Sequence, residues 1–241
     1  MTSPKLFALS TSLALFLGAA SAQAETWNAF DDFSIATNPN GAWSYGEGTA
    51  GSTFTPFVNK VTTSQVIYWQ TTNPSLGAPA VIKNTTGSSF AYPTVVFPND
   101  VLDIHPGPNS DVIVQFTAPT AGTYSYSGLF EVLDYVQSNG VIGLIYKNGT
   151  QLFSQEFGGT TANATTLTAG SMITFMGSVL LAAGDKLSFA VNNDGNYLYD
   201  STGFQVVISD VSPVPLPGAL PLMAAGLGSL ALLRRRKRKA A

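Results

Sequence analysis

There is no cysteine in the 241 residues of this chain. That excludes disulfides, thiolate metal centres and cysteine nucleophiles together. There is one histidine, His105, so the multi-histidine ligand sets of zinc enzymes are excluded as well. A Ser-His-Asp triad would have only that imidazole to draw on, and no Gly-x-Ser-x-Gly elbow occurs. Charge is sparse, at 10% of the sequence. Positive charge is sparser still away from the ends. Six of the eleven cations fall in Arg234–Lys239 and one is Lys5, leaving Lys60, Lys83, Lys147 and Lys186 against all fourteen acids. Residues 25–211 therefore carry a net charge of −10. Such a surface repels nucleic acid, whose binding needs Lys and Arg on the phosphates, and it does not favour adhesion to anionic lipid. No amphipathic helical period occurs before residue 214, and there is neither an internal repeat nor a second domain.

The two ends are of another kind. Residues 1–24 have the pattern of a secretory signal peptide: Lys5, the apolar run Leu13–Ala20, then the small-x-small site Ala22-Gln23-Ala24. The mature chain is expected to begin at Glu25. Residues 212–241 hold Val214-Pro215-Leu216-Pro217, an uncharged apolar run from Leu216 to Leu233, and the basic cluster Arg234, Arg235, Arg236, Lys237, Arg238 and Lys239. Eighteen residues lie at the short end of the roughly 17–25 that cross a bilayer core as a helix. The run has no polar face, which argues against a helix lying on the membrane surface. The cations are expected to stay on the cytoplasmic side as a stop. A plain C-terminal anchor is one reading of this tail.

The order of proline motif, hydrophobic span and arginine-rich end resembles the PEP-CTERM family of bacterial sorting signals. Its usual motif is Val-Pro-Glu-Pro. Val214, Pro215, Leu216 and Pro217 match the sister VPLPA-CTERM type, with Gly218 standing before Ala219. The resemblance implies export, contact with the inner membrane, and recognition of the tail by a membrane-embedded exosortase. It also implies a cell-surface or matrix setting with extracellular polysaccharide nearby. It covers about a tenth of the chain and leaves the chemistry of residues 25–211 open.

Those residues read as one all-β domain. Val112, Val114 and Phe116 alternate with polar or small neighbours, as do Tyr124, Tyr126, Gly128 and Phe130, then Leu187, Phe189 and Val191, then Phe204, Val206 and Ile208. Alternation of this kind places one face on a core and the other in water. Asn148-Gly149 predicts a two-residue hairpin. Pro/Gly and Gly/Asp punctuation at Ala118–Thr123 and Leu181–Asp185 adds further turns. The pattern predicts a single β-sandwich, a jelly-roll in first place and an immunoglobulin-like arrangement in second. Asn38 to Asn99 is less regular and is expected to form short strands joined by long loops at one end of the sandwich.

Three groups of residues are candidates for function. The loop 192–203 offers oxygen donors at Asn192, Asn193, Asp194, Asn196 and Asp200 around Gly195. It is either a sugar-contacting or Ca²⁺ loop, with Asn192, Asp194, Asn196 and Asp200 as ligands, or a turn whose side chains cap their own backbone. Trp43, Tyr45 and Trp69 beside polar residues are either platforms that stack on sugar rings or aromatics packed in the sandwich. His105, in a Pro/Gly-braced segment, is a further glycan-contact candidate. Asp100, Asp103 and Glu131 are carboxylates of the kind a glycosidase pairs, but sequence does not fix their spacing. No cofactor other than Ca²⁺ is implied.

The segments Trp43–Gly46, His105–Pro108, Phe116–Tyr124 and Ala182–Asp185 are similar to secreted bacterial β-domains found beside PEP-CTERM tails, which look like carbohydrate-binding-module sandwiches. The expectation is thus a non-enzymatic exported protein with weak glycan binding. Alternatives are a structural surface protein without a small ligand, and a secreted hydrolase.

Overall fold

Alternating apolar residues draw the strands of this computed structural model into two facing sheets. It describes residues 24–136 and 139–210, together with Gly226. The expected leader up to Gln23, the proline motif at 214–217 and the basic stop at 234–239 lie outside the described residues, as does the apolar run at 216–233 apart from Gly226. Among the described residues no helix is long and apolar enough to cross a membrane.

The strands are β1 Thr26–Asn28, β2 Trp43–Gly48, β3 Thr55–Pro56, β4 Asn59–Thr62, β5 Val66–Ser75, β6 Ala78–Asn84, β7 Phe90–Ala91 and β8 Val96–Phe97. They continue as β9 Leu102–His105, β10 Asp111–Thr117, β11 Gly122–Val132, β12 Val141–Lys147, β13 Thr150–Phe157, β14 Met172–Leu181, β15 Lys186–Asn192 and β16 Thr202–Asp210. The larger sheet runs β14-β11-β16-β9-β6-β5-β4, with β1 also on β16; the smaller runs β13-β12-β15-β10-β2-β3. A separate ribbon joins β7 to β8. These pairings are antiparallel, so the domain is an all-β two-sheet sandwich. In the last eight strands, β12 pairs β13, β11 pairs β14, β10 pairs β15 and β9 pairs β16, a nested series like a long hairpin folded over.

The core lies between the sheets. Phe116, Phe130, Phe189 and Phe204 are fully buried there with Val114, Val206 and Ile208. Each such side chain contributes on the order of 1.5–3 kcal/mol through removal from water. The rings meet edge-on or tilted, as in Phe130–Phe204 at 5.3 Å and Trp27–Phe116 at 5.1 Å. Asn148 (φ 45°) and Gly149 (φ 87°) occupy the left-handed conformations that the β12–β13 turn demands.

Two expectations are corrected. β10 and β15 do not leave one face in water: Ile113 and Ala190, on the far side from the main core, are buried in a second cluster with Ala50 and Leu144. The loop after β2 folds over that face, and Asp111 fixes it by accepting the Ala50 N–H at 2.7 Å. Residues 38–99 are also more regular than expected. Val66–Ser75 and Ala78–Asn84 form a long hairpin that extends the larger sheet. A register shift between Gln70 and Ser75 breaks the alternation by which the strand would be recognised.

Candidate functional site

Strand periodicity decides which residues of the larger sheet face away from the core. Trp69, Val81, Leu102 and Ile104 point inward, so their neighbours Tyr68, Ile82, Asp103 and His105 point outward. Register aligns three of these in one row, Tyr68 opposite Ile82 and Ile82 opposite Asp103. Gly203 continues the row on β16 and Glu131 on β11. A Cβ at Gly203 would stand 2.5 Å from the Glu131 Cγ, so the glutamate side chain lies over that glycine.

A cleft of about 670 Å³ stands on this outer face, with Val66, Tyr68, Ile82, Asp103 and His105 as its floor. The β7–β8 ribbon supplies one wall through Phe90, Tyr92, Thr94 and Phe97, with the Phe90 and Phe97 rings stacked at 5.0 Å. The loop after β15 supplies another through Tyr197, Leu198, Tyr199 and Ser201. The segment 133–135 ties the two walls together. Leu133 accepts the Val96 N–H and donates its own to Ser201, each at 2.9 Å. Asp134 accepts the Ser201 N–H at 2.8 Å. The Tyr197 hydroxyl meets Ser75 Oγ at 2.9 Å, closing the loop onto the end of β5.

Asp103 and Asp134 both line the cleft and both are buried. Burial, and then the charge of Asp134, hold the Asp103 carboxyl well above the usual range, against the opposing hydrogen bonds from Ser201 and Thr202. Asp103 Oδ1 has no hydrogen-bond partner among the described residues. Burial pushes Asp134 up to about 6, opposed by hydrogen bonds from Ser201 and Thr94. Burial, and then Asp100, push Glu131 up to about 7. Burial lowers the His105 pKa, outweighing its contact with Pro106 O at 2.8 Å. That contact makes Nδ1 the protonated nitrogen of a neutral imidazole.

The aromatic platforms expected at Trp43, Tyr45 and Trp69 are corrected. All three are buried on inward-facing strand positions. Each indole serves an internal contact: Trp43 Nε1 donates to Asp32 Oδ2 at 3.0 Å, and Trp69 Nε1 to Ser34 O at 2.9 Å. Polar neighbours in sequence mark the opposite face of the strand and say nothing of the aromatic itself. His105 alone of the four glycan-contact candidates lines the cleft.

Of the two readings of the loop 192–203, the hydrogen bonds favour the turn that caps its own backbone. Asn192, Asn193 and Asn196 turn their carbonyl oxygens onto the backbone N–H two residues ahead, at 3.0, 2.9 and 3.2 Å. Asn192 also donates to Asp111 Oδ1 at 2.6 Å. Asp194 is exposed whereas Asp200 is buried, so their carboxylates occupy different surroundings. Among the described residues no group of three or more His, Asp or Glu is placed to hold a metal ion. The loop reaches the cleft through Tyr197 and Tyr199 instead. Sequence reading missed these tyrosines, along with Tyr92 and Asp134. The available signal was two tyrosines in a polar turn. Asp134 carried none, because it meets Ser201 across 67 residues.

No family model matches the chain, and no curated protein matches it. Solved structures show distant likenesses. A family 35 carbohydrate-binding module from an environmental isolate aligns at 12% identity and TM-score 0.33, over 79% of this chain and 99% of that one. The CBM51 of Clostridium perfringens GH95 in complex with methyl-galactose aligns at 11% identity and TM-score 0.31, over 68% and 99%. The chain spans only 28% of the Podospora anserina GH26-CBM35 β-(1,4)-mannanase, at 16% identity, TM-score 0.30 and 80% of this chain. It spans 10% of dimeric latent PorU from Porphyromonas gingivalis, at 15% identity, TM-score 0.30 and 41% of this chain. Likenesses of this order carry no argument about ligand.

Proposed function

We propose that the β-domain is a non-enzymatic glycan-binding module of an exported surface or matrix protein, taking a short stretch of polysaccharide into the cleft above β5, β6 and β9. One observation carries the reading: tyrosine rings and buried polar groups converge in a single sugar-sized cleft. Flat aromatic rings cover the apolar faces of a sugar, and a few fixed polar groups read its hydroxyls. Tyr199 is 40% exposed and Tyr92 66% exposed, so both rings are available at the rim. Weak binding fits an open cleft of this size. The nested pairing of β9 to β16 supports a jelly-roll description of the sandwich.

The tail completes the reading. Val214–Pro217, the apolar run and the basic stop at 234–239 address the chain to the inner membrane and to an exosortase, which retains or processes it. The intact mass of the protein purified from its host tests this. Loss of everything after about Val214 supports sorting, and retention of Arg234–Ala241 favours a plain anchor. For the cleft, the test is retardation of the full-length protein in polysaccharide gels against Tyr68→Ala and Tyr199→Ala. Both variants should migrate freely. Absence of retardation by any polysaccharide, with and without Ca²⁺, would overturn the glycan reading.

A second reading, a structural surface protein with no small ligand, draws on the burial of Trp43 and Trp69. It predicts tryptophan emission that is blue-shifted and that no sugar moves, together with no retardation by any polysaccharide.

A further inference from the structure

Buried carboxylates are costly unless something offsets their charge. Asp103 and Asp134 line the cleft, and among the described residues no Lys or Arg lines it with them. The lysines of the domain are committed elsewhere or lie apart: Lys83 Nζ donates to Phe30 O at 2.5 Å, Lys147 to Leu180 O at 2.6 Å and Lys186 to Thr117 Oγ1 at 2.6 Å. Lys60 lies on β4 and does not line the cleft. Yet the two acids are held in place. Ser201 stands between them, giving its N–H to Asp134 at 2.8 Å and its side chain to Asp103. Asp103 is 3% exposed, and its buried Oδ1 has no hydrogen-bond partner among the described residues. Tyr68, Tyr92, Tyr197 and Tyr199 line the same space, and the faces of such rings attract cations.

We infer that the cleft takes a positively charged sugar, a hexosamine residue with a free amine, whose ammonium group lies against the acidic floor that Asp103 and Asp134 line while tyrosine rings cover the sugar ring. This rests on the glycan reading above and adds the charge of the ligand to it. An ammonium supplies three donors and no acceptor. It therefore offsets the acidic character of the cleft floor, which a neutral hydroxyl does only in part. The raised pKa values of the two acids fit an unliganded site that waits for a cation. N-acetylation removes that charge and adds bulk, so acetylated hexosamines are expected to be poor ligands.

Titration calorimetry on the full-length protein at pH 7 tests the inference with three oligosaccharides of equal length: a free-amine glucosamine tetramer, its fully N-acetylated form, and a neutral glucose tetramer. The free-amine form should bind at least about tenfold more tightly than either other, the scale of a hydrogen bond to a charged group. Asp103→Asn, nearly isosteric, should abolish that preference while unfolding at no lower a temperature than the parent and keeping any residual neutral-sugar binding. Asp194→Asn, a change at an exposed acid, should leave it intact. Equal binding of the free-amine and neutral oligomers would overturn the inference and leave the glycan reading standing. Equal losses in Asp103→Asn and Asp194→Asn would overturn it in favour of general attraction to an acidic surface. Binding of none of the three, alongside no retardation in polysaccharide gels, would overturn both readings.

Discussion

Replacing Asp134 by asparagine measures what the cleft costs the fold. The Asp134 carboxyl is 1% exposed and is raised from the ordinary 3.8 to about 6, chiefly by burial. An acid whose pKa is raised on folding holds its proton more tightly in the native state than in the unfolded one. Between those two values the unfolded chain binds fewer protons, so stability falls as pH rises. The cost is absent below about pH 4 and complete above about pH 6, the window those two values set. A rise of about two pH units, at about 1.4 kcal/mol each, amounts to about 3 kcal/mol. Asparagine keeps a carbonyl that can accept the Ser201 N–H, carries no charge, and relieves Asp103 of a like-charged neighbour. For a domain of this size the variant should unfold about 6–12 °C higher at pH 8. The gap should close towards pH 4. Thermal unfolding followed by circular dichroism at half-unit steps from pH 4 to pH 8 reads this directly. A variant no more stable than the parent at pH 8, or a gap independent of pH, would refute the argument.

Three other changes follow from the same geometry. Leu76 holds a left-handed φ of 50° at a hairpin tip, 85% exposed; Leu76→Asn should stabilise by about 0.5–1 kcal/mol in urea unfolding, since asparagine tolerates that conformation. Tyr45→Phe should stabilise by about 1 kcal/mol in the same assay, because the Tyr45 hydroxyl is buried without a hydrogen-bond partner among the described residues. Addition of millimolar Ca²⁺ or EDTA should leave the melting temperature unchanged, since the 192–203 loop uses its amide oxygens to cap its own backbone; a rise with Ca²⁺ would restore the cation loop.

Sequence made the two-sheet class legible because its strongest alternations belong to long strands with one clear inward face. Val112, Val114 and Phe116 on β10 and Phe204, Val206 and Ile208 on β16 all lie in the core. Asn148-Gly149 marked its hairpin because few dipeptides accept two positive φ angles. The cleft was far less legible. Its floor joins β5, β6 and β9, and its walls come from 90–97 and 197–201, segments that meet only through long-range pairing. Asp103 could be noticed as a carboxylate but not as a partner of Asp134. Trp43 and Trp69 misled because aromatics suit a core and a binding face equally well, and only register assigns the side. The loop 192–203 drew notice for its Asn and Asp, whereas its tyrosines are what reach the cleft.

The short strand β1 has a consequence for the order of assembly. Glu25 donates its N–H to Asp210 Oδ1 at 2.6 Å, and Asp210 returns its own N–H to Glu25 O at 3.0 Å, across 185 positions. Trp27, one residue into β1, pairs with Ile208 and packs on Phe116 and Tyr124. A polypeptide synthesised N-terminus first thus presents Trp27 long before the strand that receives it. Until Ile208 has been made, a large indole stays without its place and β16 leaves a gap in the middle of the larger sheet. Such remote closure is slow. The domain stays open to holding factors until its last strand is in place.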